Sequence, residues 1–193
     1  MTRKLASITL AVAFAIMLSA CASNRMADLP QPPVMAVTPA AGTATIVFMR
    51  PSLFGGAIQS SVFDISAEPH TLVGIVSAGK KIAYSASPGL HRFMVIGESA
   101  DFMDADLTAG KTYHARVDPR FGVWKARFSL VPLSADSPDL ASDLAGCSWV
   151  ENTEASRQWA AENFQSIMTK RAEYLPDWEK VSPKPFLPAS AGR

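Results

Sequence analysis

From Thr43 to Leu133 the chain is a succession of short runs rich in β-branched and aromatic residues, broken every 8 to 12 residues by Gly, Pro, Ser or Asp. "TATIVFMR" is followed by "SSVFDIS" after Gly55-Gly56, "HTLVGIV" after Glu68-Pro69, "KKIAYSA" after Gly79 and "HRFMVIG" after Pro88-Gly89. "FMDADL", "KTYHARVD" after Gly110 and "FGVWKARFSLVPL" after Asp118-Pro119 complete the set. Runs this short cannot be helices of ordinary length, and no helical period separates them. The spacing therefore predicts a mainly β fold, an antiparallel β-sandwich of about seven or eight strands.

Side-chain alternation assigns faces in the last two runs. Tyr113, Ala115 and Val117 oppose Thr112, His114 and Arg116, while Trp124, Ala126, Phe128 and Leu130 oppose Lys125, Arg127 and Ser129. Successive strand residues point to opposite faces, so pairing these runs through a turn at Asp118-Pro119 makes one apolar face. The other carries His114, Arg116, Lys125 and Arg127, as a solvated face or a binding surface.

Beyond Leu133 the period changes. Ser137 as N-cap, Pro138 in the first turn and Gly146 as stop predict a short helix. Residues 153–174 predict one long helix, capped by Thr153 or Asn152, with Glu154 at its start and Lys170 and Arg171 near its end. Ala160, Phe164, Ile167 and Met168 form its apolar stripe, with Trp159 at the margin. Packing against the sheets is one use of such a helix. Docking a partner through Trp159, Phe164 and Met168 is the other. Residues 176–193, rich in proline, predict an extended or disordered tail.

The start of the chain has the form of a secretory signal over residues 1–20: Arg3 and Lys4, an apolar run from Leu5 to Leu18, then small residues. That run is shorter than the roughly 20 apolar residues a membrane-spanning helix needs. Leu18-Ser19-Ala20-Cys21 resembles the lipobox of bacterial lipoproteins. The resemblance implies cleavage before Cys21, lipidation of its thiol with a diacylglycerol and acylation of the new amino group. Ala22, where an aspartate signals inner-membrane retention in Gram-negative lipoproteins, implies the outer membrane, facing the periplasm. Residues 21–42 then predict an Ala/Pro-rich tether that holds a domain of residues 43–133 off the bilayer, with a helical extension at 134–175. Removing Arg3 and Lys4 from the 18 basic residues leaves 16 against 17 acidic ones, a balance that gives no reason to expect nucleic acid as a partner. Lipidation of Cys21 leaves Cys147 as the second cysteine, without a partner within the chain and expected as a small buried apolar residue.

"SPGLHRFMV" at 87–95 and "DLTAGKTYHARV" at 106–117 are similar to the turn-and-strand motifs of small sandwich domains in bacterial surface proteins. These include PEGA-type modules and the lipoprotein domain of unknown function numbered 2846. The resemblance covers residues 43–133 and implies a tight turn at Pro88-Gly89 and another at Gly110-Lys111, before Tyr113 re-enters the core. The residues themselves fit, since proline presets one corner of a turn and glycine supplies positive φ at the next.

No reaction is written in the motifs. The chain contains no Gly-x-Ser-x-Gly elbow, no phosphate-cradling loop and no His-Glu-x-x-His pair. His70, His91 and His114 are not at ligand spacing, so no metal or other cofactor is expected. Asp101, Asp104 and Asp106 lack the EF-hand glycine and closing glutamate and are expected to form a solvated acidic strand edge. The expectation is a membrane-anchored, non-catalytic binding or structural domain whose partner is an envelope protein or glycan. The alternatives are a hydrolase or glycan-processing enzyme using His91, His114, Arg116 and the Asp101–Asp106 edge, and a subunit of an envelope machine docked through the 153–174 helix.

Overall fold

A computed structural model describes residues 25–30, 37–120 and 127–193. Cys21, Trp124, Lys125 and Ala126 lie outside the described residues. The first sheet contains β1 (Met26–Asp28), β2 (Ala44–Arg50), β5 (Lys80–Ala86), β8 (Thr112–Arg120), β9 (Arg127–Leu133) and β10 (Ser148–Asn152). Its order is β1-β10-β5-β2-β8-β9. The second contains β3 (Ser61–Asp64), β4 (Thr71–Ile75), β6 (Gly89–Ile96), β7 (Ala100–Leu107) and β11 (Phe186–Leu187), in the order β11-β7-β6-β3-β4.

The fold is mainly β, as the sequence predicts, but both sheets are mixed. β2 runs parallel to β8, β10 parallel to β5, and β11 parallel to β7. A parallel pair needs a long connection, and between β2 and β8 the chain builds almost the whole second sheet. β10 and β11 join from the region expected to be only helical or disordered. Local alternation cannot reveal a partner so distant in sequence.

Residues from both sheets meet in one core. Ala44, Ile46 and Phe48 of β2 pack with Val62, Phe93, Val95 and Met103 of the second sheet, and with Tyr113, Ala115, Val117, Phe128 and Leu130. The alternation expected in β8 and β9 is therefore real. The hairpin turn is misplaced, however: Asp118 and Pro119 pair with Ser129 and Phe128, and β8 continues to Arg120. Pro119 is tolerated because β2 pairs with β8 only as far as Arg116, so beyond it β8 has a single described neighbour. Gly89 and Gly110 have φ of +120° and +77°, the left-handed conformations that the two expected turns require.

Both sheets are also covered on their outer faces. Val47 and Met49 pack with Leu133, Cys147, Trp149 and Leu140 of α1 (Leu140–Ala145). β2 is consequently buried along its whole length, with no polar face. On the second sheet, Phe63, Met94, Ile96 and Phe102 pack with Ile167 and Trp178. The single helix expected at 153–174 is instead two, α2 (Glu154–Glu162) and α3 (Phe164–Trp178), which meet at Asn163. Thr153 caps α2 through a reciprocal pair with Ser156, as its position suggests. Lys170 and Arg171 lie in the middle of α3 because that helix continues to Trp178.

Two segments expected to be loose are built into the fold. Met26–Asp28, within the expected tether, pairs antiparallel with β10. Residues 176–193 finish α3, add β11 to the β7 edge and close with a short 3₁₀ turn at Ala189–Ala191. Tyr113 donates from its hydroxyl to the Ala189 carbonyl at 3.2 Å, and the Thr112 amide donates to the Arg193 carbonyl at 2.8 Å. A proline-rich segment has few amides to pair. This one is held by acceptor carbonyls and by Leu187, which is fully buried.

Candidate functional site

A densely connected polar cluster lies where β3, β5 and β6 converge. Asp64 ends β3 and points a carboxylate into surroundings that leave its side chain 8% exposed; the facing His91 side chain is 9% exposed. His91 Nδ1 is 2.8 Å from Asp64 Oδ2 and Nε2 is 2.9 Å from the Ser87 carbonyl oxygen. Both of those partners are acceptors, so the ring satisfies them fully only as an imidazolium that donates twice. Tyr84 donates its hydroxyl to Asp64 Oδ2 at 3.1 Å, and the Ser66 amide and hydroxyl both donate to Oδ1.

The electrostatics follow from this geometry. The hydrogen bond to Asp64 raises the His91 pKa, outweighing burial. Burial by itself pushes the Asp64 carboxyl upward, yet the His91 and Ser66 hydrogen bonds hold it below the usual carboxylate range. Burial and the neighbouring carboxylate raise the Tyr84 phenol. The result is a sheltered ion pair with neutral donors around its anion.

The composition Asp64-His91-Ser87 looks like that of a nucleophilic triad, but the geometry differs. Ser87 Oγ is 3.5 Å from Nε2, whereas the carbonyl of the same residue occupies that nitrogen at 2.9 Å. A general base needs a free lone pair facing the nucleophile, and an imidazolium donating to a carbonyl offers none. The cluster fixes the start of β6 against β3 and β5.

A cleft of about 510 Å³ opens beside it, lined by Ser66, Leu90, His91, Arg92, Arg171 and Phe186 among others. Its charged groups are also engaged. Arg92 holds Asp104 through two hydrogen bonds, of 2.6 and 3.0 Å, and reaches Glu179 at 3.2 Å; the Asp104 bond raises its pKa. Arg171 pairs with Glu68 at 3.0 Å and approaches His70 Nε2 at the same distance. Leu90 is 76% and Phe186 43% exposed, which gives the rim an apolar character.

The residues expected to form a basic face are separated. His114 is 2% exposed beneath the cover of the first sheet, and burial lowers its pKa to about 4. Arg116, on the same strand, bonds Asp118 at 2.8 Å and Asp143 of α1 at 3.1 Å, which raises its pKa, the Asp118 bond contributing most. Arg127 is exposed at the start of β9. Ser129 is buried and Arg116 is committed to carboxylates, so Arg127 alone of the described residues expected on this face is exposed. The alternation was legible, and so was a short helix beyond Leu133; that this helix, α1, covers the polar side of the sheet was not.

The helix residues divide as well. Trp159 is partly buried against the second sheet and stacks beneath Arg25, whose guanidinium carbon is 5.3 Å from the ring centre. Met168 is half-buried, and Phe164, 43% exposed, lines a smaller cavity with Phe63, Pro69 and Leu72. Nor do the residues of the enzymatic alternative come together. His91 and Asp104 border one cleft, whereas His114 and Arg116 belong to the other sheet. Asp104 is ion-paired, and β11 covers the strand edge expected to be solvated.

Cys147 is buried as expected, and burial raises its thiol pKa. Among the described residues, no three His, Cys, Asp or Glu side chains converge where a metal ion could sit. No helix among them is long and apolar enough to cross a membrane.

Asp64, Ser66, Tyr84 and Ser87 are the members of the cluster that sequence reasoning passed over. The available signal was the carboxylate of Asp64 inside "SSVFDIS", a charge in an otherwise apolar buried strand that must find a partner. Arg50 is comparable. It ends β2 with no exposed surface and gives its guanidinium to the carbonyls of Ile58, Phe54 and Gly55 at 2.8, 3.0 and 2.9 Å. No protein-family model and no curated protein matches the chain.

Proposed function

We propose that this chain is a lipid-anchored envelope protein, attached through Cys21 to the outer membrane and facing the periplasm. Its β domain binds or braces an envelope protein or glycan without catalysing a reaction of its own. Kinship with the PEGA-type and 2846-numbered domains belongs to the same proposal, supported by positive φ at Gly89 and Gly110.

The observation that carries the non-catalytic reading is the double donation of His91. A histidine with Asp64 on one nitrogen and a main-chain carbonyl on the other is a clamp, and the arginines beside it are committed to carboxylates. What remains at the cleft mouth is the apolar rim of Leu90 and Phe186, suited to contact rather than to proton transfer.

Two measurements test the reading. Cys21→Ala should move the protein from the membrane to the soluble fraction; unchanged membrane partitioning removes the anchoring claim. Crosslinking of the full chain in intact cells should yield a discrete envelope component, with the yield lowered by Leu90→Ser with Phe186→Ser. Hydrolysis of an ester or of envelope glycan by the purified protein, abolished in His91→Gln, overturns the non-catalytic claim.

A further inference from the structure

The lipobox-like Cys21 and Arg25, the first described residue, are very close in sequence. Arg25 is already part of the domain: its carbonyl accepts from the Thr153 hydroxyl at 2.7 Å, and its guanidinium lies over Trp159 and donates to Gln59 Oε1 at 3.3 Å. The next residue, Met26, begins the pairing with β10. Only Ala22, Ser23 and Asn24 separate Cys21 from Arg25. Whatever their conformation, four peptide steps reach at most about 14 Å. A 22-residue tether would have allowed about 70 Å. If Cys21 carries the lipid, the surface around Arg25 is held at the bilayer.

Gln59, the residue to which Arg25 donates, lies near the end of the loop between β2 and β3. That loop is stiff. The buried Arg50 binds three of its carbonyls, the Gly56 amide donates to the Leu53 carbonyl at 3.1 Å, and the Ile58 amide donates to the Gly55 carbonyl at 3.0 Å. It presents Leu53 at 75% and Phe54 at 52% exposure, two adjacent apolar side chains on a hydrogen-bonded turn. Met49 is level with Arg116, so β8 carries on past Arg50 to Arg120, the register partner of Arg127. Those two arginines are exposed at the same end of the first sheet, Arg120 also lying 3.8 Å from Asp101 Oδ2.

We propose that the Leu53–Phe54 loop is a membrane-contacting tip, resting on the same bilayer that holds the Cys21 lipid, with Arg120 and Arg127 facing its anionic headgroups. The inference rests on lipidation of Cys21 as proposed above. The short reach from Cys21 selects a bilayer over a protein as the occupant. An apolar side chain entering the headgroup region adds hydrophobic contact to the anchor, and each nearby arginine adds attraction to anionic lipid. The domain is thereby laid against the membrane instead of swinging on a long tether.

The test uses the full, lipidated protein in vesicles of phosphatidylethanolamine and phosphatidylglycerol. An environment-sensitive fluorophore is attached at Phe54→Cys, and separately at Leu90→Cys and Phe164→Cys, with quenchers carried on the lipid chains. Leu90 is paired with Asp106, six residues along β6 from the Ile96 that pairs with Ser61 beside the loop, so it is about 20 Å from that end. Emission at position 54 should fall about two-fold at an insertion depth of roughly 5–10 Å, with position 90 unaffected. Inserting a twelve-residue Gly/Ser spacer between Asn24 and Arg25 should restore most of that emission.

Absence of quenching at position 54, or stronger quenching at 164 than at 54, overturns the tip. A label at 54 shielded from both the lipid quenchers and aqueous iodide overturns it in favour of a protein contact. Vesicle flotation of the same samples separates the two readings. Protein that floats without quenching at 54 loses only the tip, whereas protein that fails to float loses the anchor and the tip together.

Discussion

His91 and His114 both have sheltered side chains in strands, one in each sheet, and burial lowers the pKa of each, yet the two end on opposite sides of the ordinary histidine value. His91 faces a carboxylate and a carbonyl, so its pKa rises above the ordinary histidine value. His114 lies on the covered side of the first sheet; its Nδ1 has no hydrogen-bond partner, and burial, with the Arg193 charge adding to it, lowers its pKa to about 4. Burial alone does not decide the charge of a histidine. The decisive difference is whether an acceptor was buried with it.

The largest expected effect comes from removing that acceptor. Asp64→Ala leaves a buried imidazolium opposite empty space and should cost about 3–5 kcal/mol in urea unfolding at pH 6. A loss under 1 kcal/mol would show that the pair contributes little and that the two histidines differ less than their geometry implies.

The second prediction concerns pH. His114 binds a proton readily once unfolded and resists it when folded, so stability falls as pH drops from 6.5 toward about 4. The full loss is on the order of 3 kcal/mol. His91 has the opposite sign: its contribution is complete below its unfolded pKa and is lost as pH rises through the elevated folded value. Asp64, depressed in the fold, contributes above its unfolded pKa and loses that contribution as pH falls through the folded one. His114→Leu should flatten the slope between pH 6.5 and 4 while keeping pH 7 stability within about 1 kcal/mol of the parent. Persistence of the slope in that variant would assign it to other groups. Resolved imidazole resonances in an NMR titration should show His91 titrating above the ordinary histidine value and His114 well below it.

The smallest effect sharpens the environment of the pair. Tyr84→Phe removes one neutral donor from Asp64 and should cost about 1 kcal/mol, since the carboxylate keeps His91 and Ser66. A cost near that of Asp64→Ala would mean that the phenol, not the imidazolium, is the principal partner.

How far each histidine could be read in advance differs in the same way. "KTYHARV" places His114 opposite Tyr113, Ala115 and Val117, and the structure keeps that split, with Tyr113 and its companions in the shared core. Alternation could not say that Leu140 of α1 would cover the polar side, because α1 is brought there by contacts that leave no local period. "SPGLHRFMV" identified the turn before His91 correctly. Its partner Asp64, however, is 27 residues away and reaches it only through the pairing of β3 with β6. The break at Asn163 was hidden because the apolar residues on either side of it still suit a continuous helix.

By itself the sequence determined the things that depend on neighbours in the chain. These are the mainly β character, the two glycine turns, the Thr153 cap, the inward faces of β8 and β9, and a signal-like start ending in Cys21. Tertiary structure alone decided the parallel pairings, the incorporation of Met26–Asp28 and Phe186–Leu187 as strands, the opposite pKa shifts of His91 and His114 and the short distance from Cys21 to the folded domain. The reason is physical. Turn, cap and alternation preferences act over a few residues, whereas strand partners and dielectric environment are set by segments that meet only when the chain has folded.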